Sequence, residues 1–259
     1  MNLLLSRILT YLNGTLFNVN DDYYRLSRYI VLNYIRFEDI TLEEILKDTC
    51  VSEQSALQYF SLYGFSNFDE FKATLVNDYY TRLDQIHARM LGLSSDKLIH
   101  DMEKDCSDEE MKAYISRICE SIDQAERVVL FGALYPLCIS VELQTDLITF
   151  GKPVIQYHSW EKLELTNRDV AIFVSATGRA MRDFLRIKQE VHLENATSIL
   201  ITQNKIYAQK EHRMSNYVIT LPGRFDGINF NYQIMTIYDV IRVHYYTQYY
   251  LGEKAANLK

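Results

Sequence analysis

The chain has 259 residues, of which 48% are apolar and 24% charged, and its formal net charge at pH 7 is −7. These proportions are typical of a folded globular protein and exclude a disordered or collagen-like chain. No run of 18 apolar residues occurs, and the apolar N-terminus is too short for a span and lacks a cleavage motif, so we expect a cytoplasmic protein with no membrane partner.

Two helices are predicted at the N-terminus. The first is the short apolar segment from Leu3 to Leu12. The second covers 20–40, where apolar residues recur at spacings of three and four, as on one face of a helix, and where Asn20, Asp21 and Asp22 supply the cap. Both helices are expected to pack over the segment that follows.

Residues 41–72 predict three short helices separated by tight turns. Thr41 and Glu44 have the spacing of a capping box, which begins the first of these helices. Ser52 is the expected N-cap of the second, which runs over 53–63 and ends at Gly64. Two capped helices joined by a tight turn are a common way to present one helix to a DNA groove.

The third helix is predicted to begin after a cap at Ser66 and to run through Leu75. Two further helices, 78–91 and 108–125, are predicted beyond it, with breaks around Gly92 and Cys106. We therefore place an N-terminal helical domain at 1–78 and a helical linker at 79–125.

The motif over the second and third helices resembles the N-terminal helix-turn-helix domain of the MurR/RpiR family of bacterial transcription regulators. The matching residues are Val51, Ser52, Ser55, Tyr59, Gly64, Phe65, Phe68, Glu70, Phe71 and Lys72. The resemblance implies binding to a double-stranded DNA operator, and in this family a sugar isomerase (SIS) domain that senses a phosphorylated sugar follows.

The second helix offers a polar face for DNA. Its outward residues are predicted to include Ser52, Gln54, Ser55 and Gln58, which can hydrogen-bond to bases or phosphates. Its inward residues are predicted to be Ala56, Leu57, Tyr59 and Phe60. The family commonly has arginine where Gln58 stands. Residues 1–80 carry six basic and eleven acidic side chains, a net charge of −5 that opposes contact with phosphate.

After residue 126 the pattern changes to short β-branched and apolar runs. Five strands are predicted, at Val128–Phe131, Val154–Tyr157, Val170–Val174, Ser198–Thr202 and Tyr217–Leu221. Helices are predicted at 134–150, 179–193 and 230–249. This alternation predicts an α/β domain at 126–259, a five-stranded parallel sheet flanked by helices. The region resembles a SIS domain.

The segment from Ser175 to Ala180 follows the central predicted strand and begins a helix, so hydroxyls and free backbone amides converge at the carboxyl edge of the sheet. It resembles the phosphate loop of SIS domains. The resemblance implies ligand contacts from Ser175, Thr177 and Gly178, with Arg179 as a further charge donor. Gly132, after the first strand, belongs to a second and altered motif. The alternative is an ordinary strand-to-helix turn capped by Ser175.

The predicted function is a DNA-binding regulator of sugar or amino-sugar metabolism, working as a homodimer or homotetramer. One alternative is an interaction protein whose helix-turn-helix no longer binds DNA. A sugar-phosphate isomerase is a third, but no acid and base pair can be assigned in the sequence, so we expect no catalysis. No cofactor or metal is expected, because the four cysteines lie far apart and are predicted to be buried.

Overall fold

The computed structural model describes residues 3–14, 21–132, 135–157, 163–188, 191–225 and 227–252. The chain divides into two compact units. The first contains Met1–Leu91, Thr145–Val154 and His158–Glu161, and the second contains Gly92–Gln144, Ile155–Tyr157 and Lys162–Lys259. In the described parts of the chain, no helix combines the length and the apolar content that a membrane span requires.

The first unit is helical. Its helices are α1 (Leu4–Gly14), α2 (Asp22–Leu32), α3 (Leu42–Thr49), α4 (Glu53–Leu62) and α5 (Phe68–Met90). An aromatic core joins α4 to its neighbours: the rings of Phe60 and Phe71 lie 4.7 Å apart, and the Tyr59 hydroxyl is 2.8 Å from the buried hydroxyl of Ser27. Full burial of each such ring stabilises the unit by about 1.5–3 kcal/mol.

Two helix ends in this unit differ from the prediction. Helix α2 ends at Leu32 rather than near residue 40, because the Asn33 side chain donates to the carbonyl oxygen of Tyr29 and so competes with the backbone. The N-cap of α5 is Asn67 rather than Ser66: the Asn67 side chain accepts a hydrogen bond from the backbone amide of Glu70. From there α5 continues without a break as far as Met90.

The second unit contains a five-stranded sheet with the order β2-β1-β3-β4-β5, flanked by helices as the sequence predicted. The strands are β1 (Arg127–Phe131), β2 (Val154–Gln156), β3 (Asp169–Val174), β4 (Thr197–Thr202) and β5 (Tyr217–Thr220). The neighbours β1–β3, β3–β4 and β4–β5 pair in parallel. The buried apolar runs thus become strands covered on both faces.

Two predicted helices differ from the structure in this part of the chain: 179–193 ends earlier, at Ile187, and 134–150 forms two helices. Six α-helices follow α5 in the described residues. They are α6 (Ser95–Asp101), α7 (Asp108–Gln124), α8 (Tyr135–Ile139), α9 (Val141–Thr149), α10 (Arg179–Ile187) and α11 (Gly227–Tyr245). A π-helix, Tyr246–Tyr250, extends α11. The predicted single helix 134–150 is interrupted at Ser140, where the Gln156 side chain donates to the Leu137 carbonyl oxygen and the Ser140 hydroxyl.

The prediction that the four cysteines are buried is confirmed at one position. Cys119 is buried, but Cys50 and Cys138 are exposed and Cys106 is half-buried. Cys50 has a left-handed backbone, with φ of 52°, at the end of α3. Its position is therefore set by the turn into α4 rather than by core packing.

Candidate functional sites

The first candidate site is the α3–α4 pair in the helical unit. Ser52 has extended backbone and its side chain accepts a hydrogen bond from the Ser55 amide at 3.1 Å, so it is the N-cap of α4. Gly64, with φ of 94°, follows the other end of α4, and the Phe65 amide donates to the Phe60 carbonyl. Helix α4 thus has a fixed beginning and a fixed end.

The outward face of α4 differs in part from the prediction. Ser52, Gln54 and Gln58 are exposed, as predicted. Leu57 was predicted to pack inward and is 40% exposed instead. In a helix, residues three and four apart lie on one face, so Leu57 and Gln58 share the face of Gln54. An apolar side chain therefore lies beside the two amides.

Ser55, the fourth predicted DNA contact, is half-buried in an internal hydrogen-bond network. The Ser52 hydroxyl donates to the Ser55 hydroxyl at 3.0 Å. The Ser55 hydroxyl in turn bonds to the Asp22 carboxylate, and this bond, with help from Arg25, lowers the pKa of Asp22 despite some burial. Ser55 is therefore tied to an ionised carboxylate of α2.

Arg25 completes this network. Its guanidinium pairs with Asp22 and donates to the carbonyl oxygens of Thr49, at 2.9 Å, and Cys50, at 3.3 Å. Helix α2 thereby holds the turn between α3 and α4. The sequence did not indicate these contacts of Asp22 and Arg25. Both residues lie in a separate predicted helix, and the sequence does not show which residues that helix meets.

The second candidate site is the carboxyl edge of the sheet. Phe131 of β1 pairs with Phe173 of β3, and the two rings stack at 4.2 Å. Gly132 and Ser175 follow these two strands, so the structure brings them close together at this edge. Phe184 of α10 packs on both phenylalanine rings. Residues 133–134 of the altered motif lie outside the described residues.

The hydroxyls after β3 act on the backbone of α10. The Ser175 hydroxyl accepts from the Ala180 amide at 3.4 Å, and the Thr177 hydroxyl accepts from the Arg179 amide at 3.3 Å. The Arg179 side chain is exposed. Both hydroxyls thus serve as caps, and an anion at this helix N-terminus would replace or share these two long hydrogen bonds.

Gly178 has a packing partner that the sequence did not indicate. Its φ is +72°, and a Cβ atom there would lie 2.1 Å from Cε2 of Tyr207. The resemblance implied a ligand contact at Gly178, but on that side the close contact is made by the Tyr207 ring. Asn204, three residues earlier, donates to the Thr177 carbonyl at 3.1 Å. The segment after β4 therefore holds this loop.

Two cavities lie near the sheet, and neither is lined by the capping hydroxyls of Ser175 and Thr177. One, of about 380 Å³, is lined by Arg182, Ile206 and Tyr207 among others. The other, of about 580 Å³, lies at the amino edge, where Ser198 and Asn216 are found. No group of three or more histidine, cysteine or acidic side chains lies together in the described residues, so we assign no metal centre there.

The chain matches no protein-family model and no curated protein. It does match solved structures. The NanR protein of Vibrio vulnificus complexed with ManNAc-6P is 16% identical, with a TM-score of 0.43, over 97% of both chains. The sugar isomerase domain of an RpiR transcription factor from Sphaerobacter thermophilus is 14% identical, with a TM-score of 0.43, over 63% of this chain and 89% of that one.

A third solved structure is the hypothetical protein MJ1247 from Methanococcus jannaschii, for which a 3-hexulose-6-phosphate isomerase function is inferred. It is 14% identical to this chain, with a TM-score of 0.47, over 65% of this chain and 90% of that one. Of these three proteins, one is described as a transcription factor and one as an inferred isomerase. At such identities and scores, the likeness assigns this chain to neither class.

Proposed function

We propose that this protein is a cytoplasmic, DNA-binding transcription regulator of sugar or amino-sugar metabolism. The observation that supports it best is the exposed face of α4, where Gln54 and Gln58 lie one turn apart on a helix capped at both ends. A glutamine side chain can hydrogen-bond to adenine with both its donor and its acceptor. Two such helices in a homodimer or homotetramer would contact two half-sites of a palindrome.

The proposed effector is a phosphorylated sugar at the carboxyl edge of the sheet. Its phosphate would accept from the first amides of α10, where Ser175, Thr177 and Gly178 lie, with Arg179 supplying a positive charge. Binding there would alter DNA affinity through a coupling free energy of about 1–3 kcal/mol. We propose no catalytic step, because we can assign no acid and base pair to act on a sugar at this edge.

The DNA part of the proposal is tested by selecting sequences from a random duplex pool with the purified full chain at low salt. We expect an enriched palindrome, and weaker binding to it by Gln54→Ala and Gln58→Ala. Asn77→Ala, an exposed change on α5, is the control and should bind as the wild type does. Recovery of no enriched sequence would contradict the proposal.

The effector part is tested by thermal shift with phosphosugars, N-acetylmannosamine 6-phosphate being the first probe. A ligand that binds the native state alone raises Tm. We expect Ser175→Ala to reduce the rise and Ser121→Ala, a serine on α7, to leave it unchanged. Equal shifts with both variants would place the phosphosugar elsewhere.

A protein-interaction module is the second candidate function. The bond between Ser55 and the ionised Asp22, together with the exposed acid Glu53, supports it, because carboxylates at the beginning of α4 repel phosphate. The same selection separates the two functions. An interaction module binds no duplex even in dilute buffer, whereas a weak DNA binder gains affinity as salt is lowered.

A further inference from the structure

A cavity of about 450 Å³ lies within the second unit, among α6, α7 and the end of α11. It is independent of both candidate sites described above. The polar side chains that matter in its wall are Ser95, Asp96, Lys112, Ser116, His244 and Gln248. Its volume is in the range of pockets that hold small molecules.

His244 is the buried centre of this wall, with 6% of its surface exposed. Its Nδ1 atom lies 3.3 Å from the Ser95 hydroxyl, and its Nε2 atom lies 3.3 Å from the Ser116 hydroxyl. Burial lowers the pKa of His244, with Asp96 and Lys112 acting in opposite directions, so the ring is neutral at pH 7. It therefore offers one donor and one acceptor.

The backbone next to His244 changes from α-helix to π-helix at Tyr246. π-Helical turns are rare and occur frequently at functional sites. Three residues of this turn, Thr247, Gln248 and Tyr249, line the cavity. The Tyr249 ring stacks on Tyr245 at 5.4 Å, which holds this part of the wall in place.

The charges in the wall cancel. Asp96 and Lys112 are exposed and paired at 2.8 Å. The wall therefore offers no net charge that would attract an ion, and an uncharged ligand leaves the pair intact. The remaining polar groups, which are hydroxyls, an amide and a neutral imidazole, can each donate and accept. This set complements the hydroxyl groups of a polyol.

We propose that this cavity binds a small uncharged polyhydroxylated compound, such as an unphosphorylated sugar or sugar alcohol. Its hydroxyls insert between His244 and the hydroxyls of Ser95 and Ser116 and bond to both sides, in place of the two long hydrogen bonds. A further ligand hydroxyl bonds to the Gln248 amide. The site is separate from the phosphate site proposed at Ser175. The chain would thus discriminate a free sugar from its phosphate by two different surfaces.

The test uses the full-length protein with isotope-labelled histidine, titrated with glucose, N-acetylglucosamine and sorbitol. The His244 ring signal is identified by its absence in His244→Gln. We expect one of these compounds to move that signal and to raise Tm. Ser116→Ala and Gln248→Ala should each weaken binding about tenfold, the effect of one lost hydrogen bond. Arg117→Ala, exposed on α7, is the matched control and should bind as the wild type does.

The proposal is overturned if none of the three compounds moves the His244 signal, or if Ser116→Ala and Gln248→Ala bind with unchanged affinity. Glycine and inorganic phosphate are titrated in parallel. A response to either of these without a response to the polyols also overturns it, because the site would then recognise ionised groups. Ser175→Ala should leave the response to polyols unchanged. The outcome of this test is therefore independent of whether a phosphosugar binds at Ser175.

Discussion

The Arg82 guanidinium lies 2.6 Å from the Asp146 carboxylate, and both side chains are buried, with 6% and 0% of their surfaces exposed. Both residues belong to the first unit although they are far apart along the chain. Taking two charges out of water is expensive, and their mutual attraction offsets that cost while both are present. The pair is therefore sensitive to loss of either partner.

We predict that Asp146→Ala destabilises the protein by about 3–5 kcal/mol, because it leaves the Arg82 charge buried without this carboxylate. Urea unfolding followed by far-ultraviolet circular dichroism measures the change. The double variant Arg82→Met, Asp146→Leu should be more stable than Asp146→Ala, since it removes both charges. A double variant less stable than the single one would show that the pair is itself strongly stabilising.

Gly178→Ala should destabilise the protein more than Gly92→Ala. Both glycines have positive φ, of +72° and +77°, but only a Cβ at position 178 would meet another side chain, Tyr207. Left-handed backbone alone costs about 1 kcal/mol or more in a non-glycine residue, and crowding adds about 1–3 kcal/mol. Thermal unfolding of both variants measures the difference. In the double variant Gly178→Ala, Tyr207→Ala, the destabilisation caused by crowding against the Tyr207 ring should disappear.

Asp169 is predicted to stabilise the sheet in a pH-dependent way. Burial acts to raise its pKa, but hydrogen bonds from Arg127 and Thr166 outweigh burial and lower the pKa below its ordinary value of 3.8. Its contribution is therefore complete above that value and is lost as pH falls through the lower pKa of the folded state. Asp169→Asn should cost about 1.5–3 kcal/mol at neutral pH, the strength of hydrogen bonds to a charged group.

The measurement is the free energy of unfolding of wild type and Asp169→Asn from about pH 7 to about pH 3. The difference in the free energy of unfolding between wild type and Asp169→Asn should become smaller below pH 3.8, as the wild-type carboxylate takes up a proton. A difference that stays constant over this range would mean that the ionised carboxylate is not what stabilises the sheet.

Gln58→Arg should strengthen DNA binding and make it more dependent on salt. Position 58 is exposed on α4, and an added cation that neutralises one phosphate increases the slope of log affinity against log salt by about 0.9. Fluorescence anisotropy with a labelled duplex at several salt concentrations measures that slope. Asn77→Arg adds the same charge on α5 and is the control. Equal gains from both variants would indicate general attraction rather than contact through α4.

The sequence was sufficient for the five strands and for most of the helices, but not for α6 or for the division between α8 and α9. Caps at Thr41 and Ser52, the stop at Gly64 and the five apolar runs each act on the backbone within a few residues, so they can be interpreted locally. Helix lengths were less accurate. The ends at Asn33 and Ser140 depend on side-chain hydrogen bonds that compete with the helix.

By itself, then, the sequence determined a capped helical bundle and a parallel α/β sheet, and it indicated which turns bring polar groups to the surface. Tertiary structure decided which of those groups are engaged. Ser55 is bonded to Asp22, Leu57 is exposed, and Gly178 lies under Tyr207. Each of these facts depends on how a side chain packs against other parts of the fold. Local propensities carry no information about such contacts, because the partners meet only when the chain has folded.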